Sequence, residues 1–324
     1  MLVPRRLVLS AALGCTLLWC AEASAQPPAY PIRPVTVIVP FPPGGVDSLV
    51  RLVGDKAAAV LGQPFVYRNQ PGAGGRIGTE ALARAPKDGY TIGVATVSGL
   101  VTIPALAASP PYDPVGDFSH LVMVLEGPYL IVAHPGSGLR SIQQLVQYAK
   151  AEPGRLRIGS TGVGSGTHLV IERLMAAAGV RLVHVPYKGE APLTIDLMGG
   201  QIELAVTNAA SLPLVDAAKI VLLAVASEKR VASLPDTPTV MEAGLNMATS
   251  GWMGFAAPAG IPAEVRDKLI DAFVRSAQDL EVKIALTRAG TEPVDLAGEA
   301  FKALVRSEFD RLRELNKTLQ IAVQ

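Results

Sequence analysis

The groups best placed for chemistry in this chain are backbone groups in glycine-rich turns. Residues 35–45 read Val-Thr-Val-Ile-Val-Pro-Phe-Pro-Pro-Gly-Gly. The β-branched run Val35 to Val39 is too apolar to face water and predicts a buried strand. Pro40, Pro42 and Pro43 stiffen the turn around Phe41, and Gly44 and Gly45, without Cβ atoms, let backbone N–H groups approach a ligand closely. A helix is expected from about Asp47, with Leu49, Val50, Leu52, Val53, Ala57, Val60 and Leu61 on its apolar face. Its positive end favours an anion at the turn. Residues 160–168, Ser-Thr-Gly-Val-Gly-Ser-Gly-Thr-His, form a second strand-to-helix cradle with hydroxyls added. Val185-Pro186-Tyr187-Lys188-Gly189 is a third such junction, with Tyr187 placed to line a cleft and Lys188 a solvated charge.

Side-chain chemistry finds less support. A serine-hydrolase elbow around Ser165 needs glycine where Val163 stands, and around Ser160 it needs glycine where Ile158 stands. A G-x-G-x-x-G register from Gly72 and Gly74 lands on Ile77, so the dinucleotide fingerprint fails and no nicotinamide cofactor is expected. His120, His134, His168 and His184 lack metal-ligand spacing, and no metal or other cofactor is implied. His184 lies within a strand and reads as structural, whereas His168 opens a helix, where capping competes with ligand contact. Trp252 and Phe255 read as core. Anion-friendly turns without an acid–base pair or activated nucleophile favour binding over catalysis, and in open α/β sheets such turns sit where ligands bind.

The N-terminus suggests an exported chain. Arg5-Arg6, an apolar run from Leu7 to Trp19 and Ala23-Ser24-Ala25 fit a cleavable signal peptide, residues 1–25. Its removal takes both cysteines, Cys15 and Cys20, and with Arg5, Arg6 and Glu22 gone from totals of 29 Lys+Arg and 28 Asp+Glu, 27 of each sign remain. A mature chain near neutrality argues against a nucleic-acid partner, and no later apolar run reaches the ~18 residues of a membrane span.

Positioning these turns requires alternating strands and helices. Strands are expected at residues 91–96, 121–125, 129–134, 156–159, 182–185, 202–207 and 221–226. Helices are expected at 141–151, 167–178, 191–198, 263–278, 281–289 and 298–319. This order implies an α/β fold with parallel sheets. Turns at Gly127-Pro128 and at Ser227 to Arg230 suggest a middle lobe inserted into an outer one.

Tyr30-Pro31, Pro40 to Gly45, Leu61-Gly62-Gln63-Pro64, Asn69 with Pro71 to Gly75, Asp88-Gly89-Tyr90-Thr91, Pro111-Tyr112-Asp113-Pro114, His184 to Gly189, Leu234-Pro235-Asp236 and Ala257-Pro258 together resemble the Bug-type receptors. These are extracytoplasmic substrate-binding proteins of the tripartite tricarboxylate transporter family. The resemblance spans essentially the whole chain after residue 25. It implies a two-lobed α/β periplasmic-binding-protein fold (Venus flytrap, type II) with a parallel-rich sheet in each lobe, divided as 26–126, 127–226 and 227–324. It also implies a periplasmic, monomeric receptor, not an enzyme, that takes a small carboxylate and delivers it to integral membrane transporter subunits. Family carboxylates are held by backbone groups and water between the first strand-helix loop and a loop of the other lobe. Carried over, these are Phe41, Pro43, Gly44, Gly45 and Asp47, facing Gly162, Ser165, Gly166, Thr167 and His168, with Thr96, Ser98, Tyr187 and Asn208 as wall positions. The chain departs from the pattern twice. Val46 stands alone between Gly45 and Asp47 where two residues are usual, and Thr207 replaces a common acid. The alternatives are a sensor that docks its closed form on a signalling partner, or a secreted hydrolase using Ser165 and His168.

Overall fold

A computed structural model describes residues 30–44, 46–231, 233–319 and 321. The expected signal peptide 1–25, with Cys15 and Cys20, and the candidate ligand residue Gly45 lie outside the described residues. The chain runs β1 (Val35–Val39), α1 (Val46–Leu61), β2 (Phe65–Asn69), α2 (Arg76–Ala83), β3 (Thr91–Thr96), α3 (Ile103–Leu106) and β4 (Phe118–Ala133). It continues with α4 (Ile142–Ala151), β5 (Arg157–Ser160), α5 (Gly166–Ala178), β6 (Val183–Pro186), α6 (Glu190–Met198), β7 (Leu204–Asn208), α7 (Leu212–Asp216) and β8 (Val221–Val225). It closes with β9 (Ser250–Pro258), α8 (Ala263–Gln278), α9 (Leu280–Arg288), β10 (Glu292–Ala297) and α10 (Gly298–Leu319).

Two sheet halves share one strand. In the first, β2, β1 and β3 lie parallel, and β9 pairs antiparallel with β3 and β4. In the second, β6, β5 and β7 lie parallel, and β7 and β8 pair antiparallel with the far end of β4. Alternation of strand and helix predicts parallel pairing throughout, and it holds for the outer strands. The central pairs are antiparallel because β4 and β9 run past each other between the halves.

The separate strands expected at 121–125 and 129–134 are one strand. Glu126-Gly127-Pro128 reads locally as a break, but β9 pairs opposite it (Glu126 with Trp252, Gly127 with Gly251, Pro128 with Ser250) and carries the ladder through. Proline's missing N–H is tolerated where the ladder changes partner, since Tyr129 onward pairs with β7.

Each half has its own apolar core. Val35, Val37 and Val39 pack against Val50, Val53 and Ala57 of α1 and Leu269 and Phe273 of α8, with Phe255 stacked on Phe273 at 4.0 Å between centroids. Across the crossing, Ile131, Ile158, Val170, Leu174 and Leu204 pack with Ile142 and Leu145 of α4, joined by Val240, Leu245 and Met247 from the chain between β8 and β9. Local signals start and stop the helices: Ser141 caps α4 by accepting the Gln144 N–H at 3.2 Å, and Gly179, in the left-handed region, ends α5. Among the described residues no helix is long and apolar enough to cross a membrane.

Candidate ligand cleft

A cleft of about 560 Å³ lies between the two halves. One wall is made by the β1–α1 turn (Phe41, Pro43, Gly44), the turn 72–75, and Thr96 and Ser98 after β3. The other is made by Gly162, Ser165, Gly166 and Thr167 at the start of α5, Tyr187 after β6 and Asn208 at the end of β7. Tyr129 of β4 and Trp252 of β9 line it where the halves join.

The walls approach closely because side chains are missing. Gly74 has φ 66°, and a Cβ there would stand 2.6 Å from the Val163 carbonyl oxygen of the opposite wall. A hydrogen bond spans the gap: the Gly166 N–H, at the positive end of α5, donates to Ser98 Oγ at 2.9 Å.

Most of the backbone donors expected at residues 160–168 are already occupied. Thr161 N–H donates to Thr167 Oγ1 at 2.9 Å, Gly162 N–H to Ser160 Oγ at 3.2 Å and Gly164 N–H to His168 Nδ1 at 3.2 Å. His168 N–H donates to Ser165 Oγ at 3.2 Å. Hydroxyls near their own backbone fold such a turn back on itself. The turn 72–75 differs. Ala73, Gly74 and Gly75 all have positive φ, and among the described residues the N–H groups of Gly44, Ala73 and Gly74 donate to no protein acceptor.

Asp47 and His168 do not line the cleft. The Asp47 carboxylate is buried, accepting Arg51 Nε at 2.8 Å and Asn69 Nδ2 at 3.3 Å, so it ties the start of α1 to the end of β2. The His168 ring lies behind the wall, stacked on His184 at 4.2 Å, with Nε2 3.4 Å from Glu172. Ser165 Oγ donates to the Gly162 carbonyl at 2.7 Å and meets Thr167 Oγ1 at 2.8 Å, while His168 Nδ1 takes the Gly164 N–H. Ser165 and the His168 ring are therefore not paired as nucleophile and base. His184 Nε2 lies 2.6 Å from Ser160 Oγ, and burial, helped by His168, holds its pKa down to about 4. No group of three or more His, Cys, Asp or Glu among the described residues is arranged to hold a metal.

Several wall residues escape a reading of the sequence. The turn 72–75 reads there as a failed dinucleotide fingerprint and as one motif of the family resemblance, with no ligand contact assigned to it, although its glycine density is a signal in its own right. Trp252 and Phe255 are core as expected, but Trp252 also faces the cleft and donates Nε1–H to Glu308 at 2.7 Å. Glu190, at the first position of α6, immediately follows the Tyr187-Lys188-Gly189 junction. Its carboxylate accepts Ser211 Oγ at 2.7 Å, Asn208 N–H at 3.4 Å and Asn208 Nδ2 at 3.1 Å, and burial pushes its pKa up to about 7.

A family model described as tripartite tricarboxylate transporter family receptor matches residues 49–321. The solved periplasmic binding protein BugD is 33% identical, with a TM-score of 0.86 over 91% of this chain and 100% of that one. The R. palustris protein Rpa4515, solved with adipate, is 33% identical, with a TM-score of 0.86 over 90% of this chain and 99% of that one. MatC from Rhodopseudomonas palustris, solved with bound malate, is 28% identical, with a TM-score of 0.83 over 88% and 99%. These neighbours share the two-lobed periplasmic-binding-protein fold.

Proposed function

The chain belongs to the tripartite tricarboxylate transporter receptor family, and from that premise we propose that it is an exported receptor holding a small carboxylate in its interlobe cleft. The leader is removed near Ala25, the mature protein works in the periplasm as a monomer, and the loaded form delivers its ligand to the membrane subunits of the transporter. The observation that carries this reading is the pairing of the turn 72–75 with the α5 turn across a cleft sized for a small molecule. Similarity to proteins solved with adipate and malate supports a carboxylate.

In this reading the ligand meets Phe41, Pro43, Gly44, Thr96, Ser98, Gly162, Ser165, Gly166, Thr167, Tyr187 and Asn208, with the Ala73 and Gly74 N–H groups added. Asp47 and His168 support the two turns from behind. A receptor role without turnover agrees with a Ser165 hydroxyl engaged in capping α5.

A thermal-shift screen of small carboxylates against their amides and methyl esters tests the assignment. Binding to the folded state alone raises stability by about 2.7 kcal/mol at a hundredfold excess over Kd. Carboxylates should raise the melting temperature while their amides and esters do not. A shift with neutral sugars and none with any carboxylate would sink the reading.

A further inference from the structure

Glu190 is an acid on the wall of a cleft whose other polar groups suit an anion. It has no Lys or Arg partner among the described residues. The neighbouring Lys188 also lines the cleft, but it is exposed and makes no ion pair with Glu190. The carboxylate is held in place by neutral donors only: Oε1 accepts the Ser211 hydroxyl and the Asn208 N–H, and Oε2 accepts the Asn208 side-chain amide. Oε2 therefore keeps acceptor capacity, because an ionised carboxylate offers about four lone-pair sites. A second ionised carboxylate brought alongside would be repelled at low local dielectric, and a cation would be drawn to the same place. The N–H groups of Gly44, Ala73 and Gly74, which donate to no protein acceptor among the described residues, belong to other segments of the cleft wall.

We propose that Glu190 is a specificity-determining residue and that the ligand is an amino-carboxylate, its carboxylate held at the glycine-rich turns and its ammonium group paired with Glu190. This deepens the receptor reading and rests on it. The ion pair needs no change elsewhere: Ser211 and Asn208 orient the acceptor before the ligand arrives.

Matched probes separate the candidates by calorimetry on the mature protein: adipate against 6-aminohexanoate, and glutarate against 5-aminopentanoate, at pH 7.5. Each pair exchanges one carboxylate for an ammonium at near-constant length. The amino-carboxylate of each pair should bind at least tenfold tighter. Glu190→Gln should erase that preference while the ligand-free melting temperature stays within a few degrees. If the dicarboxylates bind tighter in the unmodified protein, Glu190 is no cation site, and the carboxylate-receptor reading stands without it. The preference should also shrink as pH falls from 8 to 6, because protonation removes the charge on Glu190; a preference that stays constant over that range would equally rule out the cation site. A preference that survives in Glu190→Gln also overturns the assignment. Absence of binding by every probe, together with a failed carboxylate screen, removes both readings.

Discussion

At the scale of single residues, the cleft depends on what is missing as much as on what is present. Gly74 combines a left-handed backbone with a neighbour on the opposite wall, so Gly74→Ala should act mainly on lobe closure. We expect ligand affinity to fall at least tenfold, with about 1 kcal/mol of backbone strain lost from folding. Gly138→Ala supplies the control, since Gly138 has φ 76° and open space around its Cβ position; it should cost similar stability and leave affinity alone. Equal affinity losses in both variants would mean that strain, not the walls' approach, was responsible. Glu190 makes a separate prediction about pH. Its folded pKa of about 7 lies above the usual 4.5, so the folded state binds this proton more tightly and stability falls as pH rises across that window. His120 and His184, both held near 4 chiefly by burial, act in the opposite sense, adding stability as pH rises from about 4 to 6.5. The difference in melting temperature between the unmodified protein and Glu190→Gln isolates the acid, and it should move steadily against the unmodified protein from pH 5 to 7.5. A flat difference would show that Glu190 titrates normally.

At the scale of elements, what is legible in the sequence is what local patterning controls. The β1–α1 junction, the capped α4 and the amphipathic α8 and α10 follow from periodicity and end signals. β9 is not legible because its composition, Ser-Gly-Trp-Met-Gly-Phe-Ala-Ala-Pro, answers to its partners: a Cβ on Gly251 would press on the Tyr129 ring at 3.0 Å, and one on Gly254 would meet the Val122 backbone. β2 and β10 escape as well; β10 is half-exposed, without the alternation that marks a strand. In the site, the β1–α1 turn and the α5 start are legible as glycine-rich junctions. The engagement of their neighbours is not, since the partners of Asp47 and His168 become visible only after folding. Two serines, one on each wall of the cleft, should therefore behave differently. Ser165→Ala removes an N-cap and should lower stability by about 1 kcal/mol without creating or abolishing any turnover. Ser98→Ala removes the acceptor for the Gly166 N–H across the gap. It should weaken ligand binding by about fivefold, near 1 kcal/mol, with little change in the ligand-free melting curve. Calorimetry and melting curves on both variants check the pair, and the assignment fails if Ser98→Ala destabilises the free protein as much as Ser165→Ala does.

At the scale of the whole molecule, the halves communicate through β4 and β9, and closure must bend or twist about that pair. We place the hinge at Glu126 to Tyr129 on β4 and at Thr249 to Gly251 entering β9. The Thr249 N–H donates to the Ala226 carbonyl at 2.7 Å, so the expected crossing near Ala226 to Glu228 sits beside this point in space. Because Val240, Leu245 and Met247 pack with the second half, we propose that the return to the first lobe lies near residue 250 instead of 227. A ligand that favours the closed form shifts the population toward it. Small-angle scattering should show a smaller radius of gyration with saturating ligand. Trp252, the only tryptophan after residue 25, should report the same change in fluorescence. An unchanged radius with a full calorimetric signal would describe a receptor that binds without closing. The same double crossing also sets an order of assembly. Ser276 Oγ on α8 donates to the Val53 carbonyl of α1, 223 residues earlier in the chain, and Phe65 packs on Phe273. The outer half is thus a composite of the first and last segments, whereas the inner half is continuous from β4 to the entry of β9. As the chain is made from its N-terminus, the inner half has all its partners long before the outer one does. Val35, Val37 and Val39 can meet α1 early, but the cover that Leu269 and Phe273 give them must wait for α8 to arrive. Chaperone protection during synthesis is needed most by the N-terminal strands, although they are the first to be made.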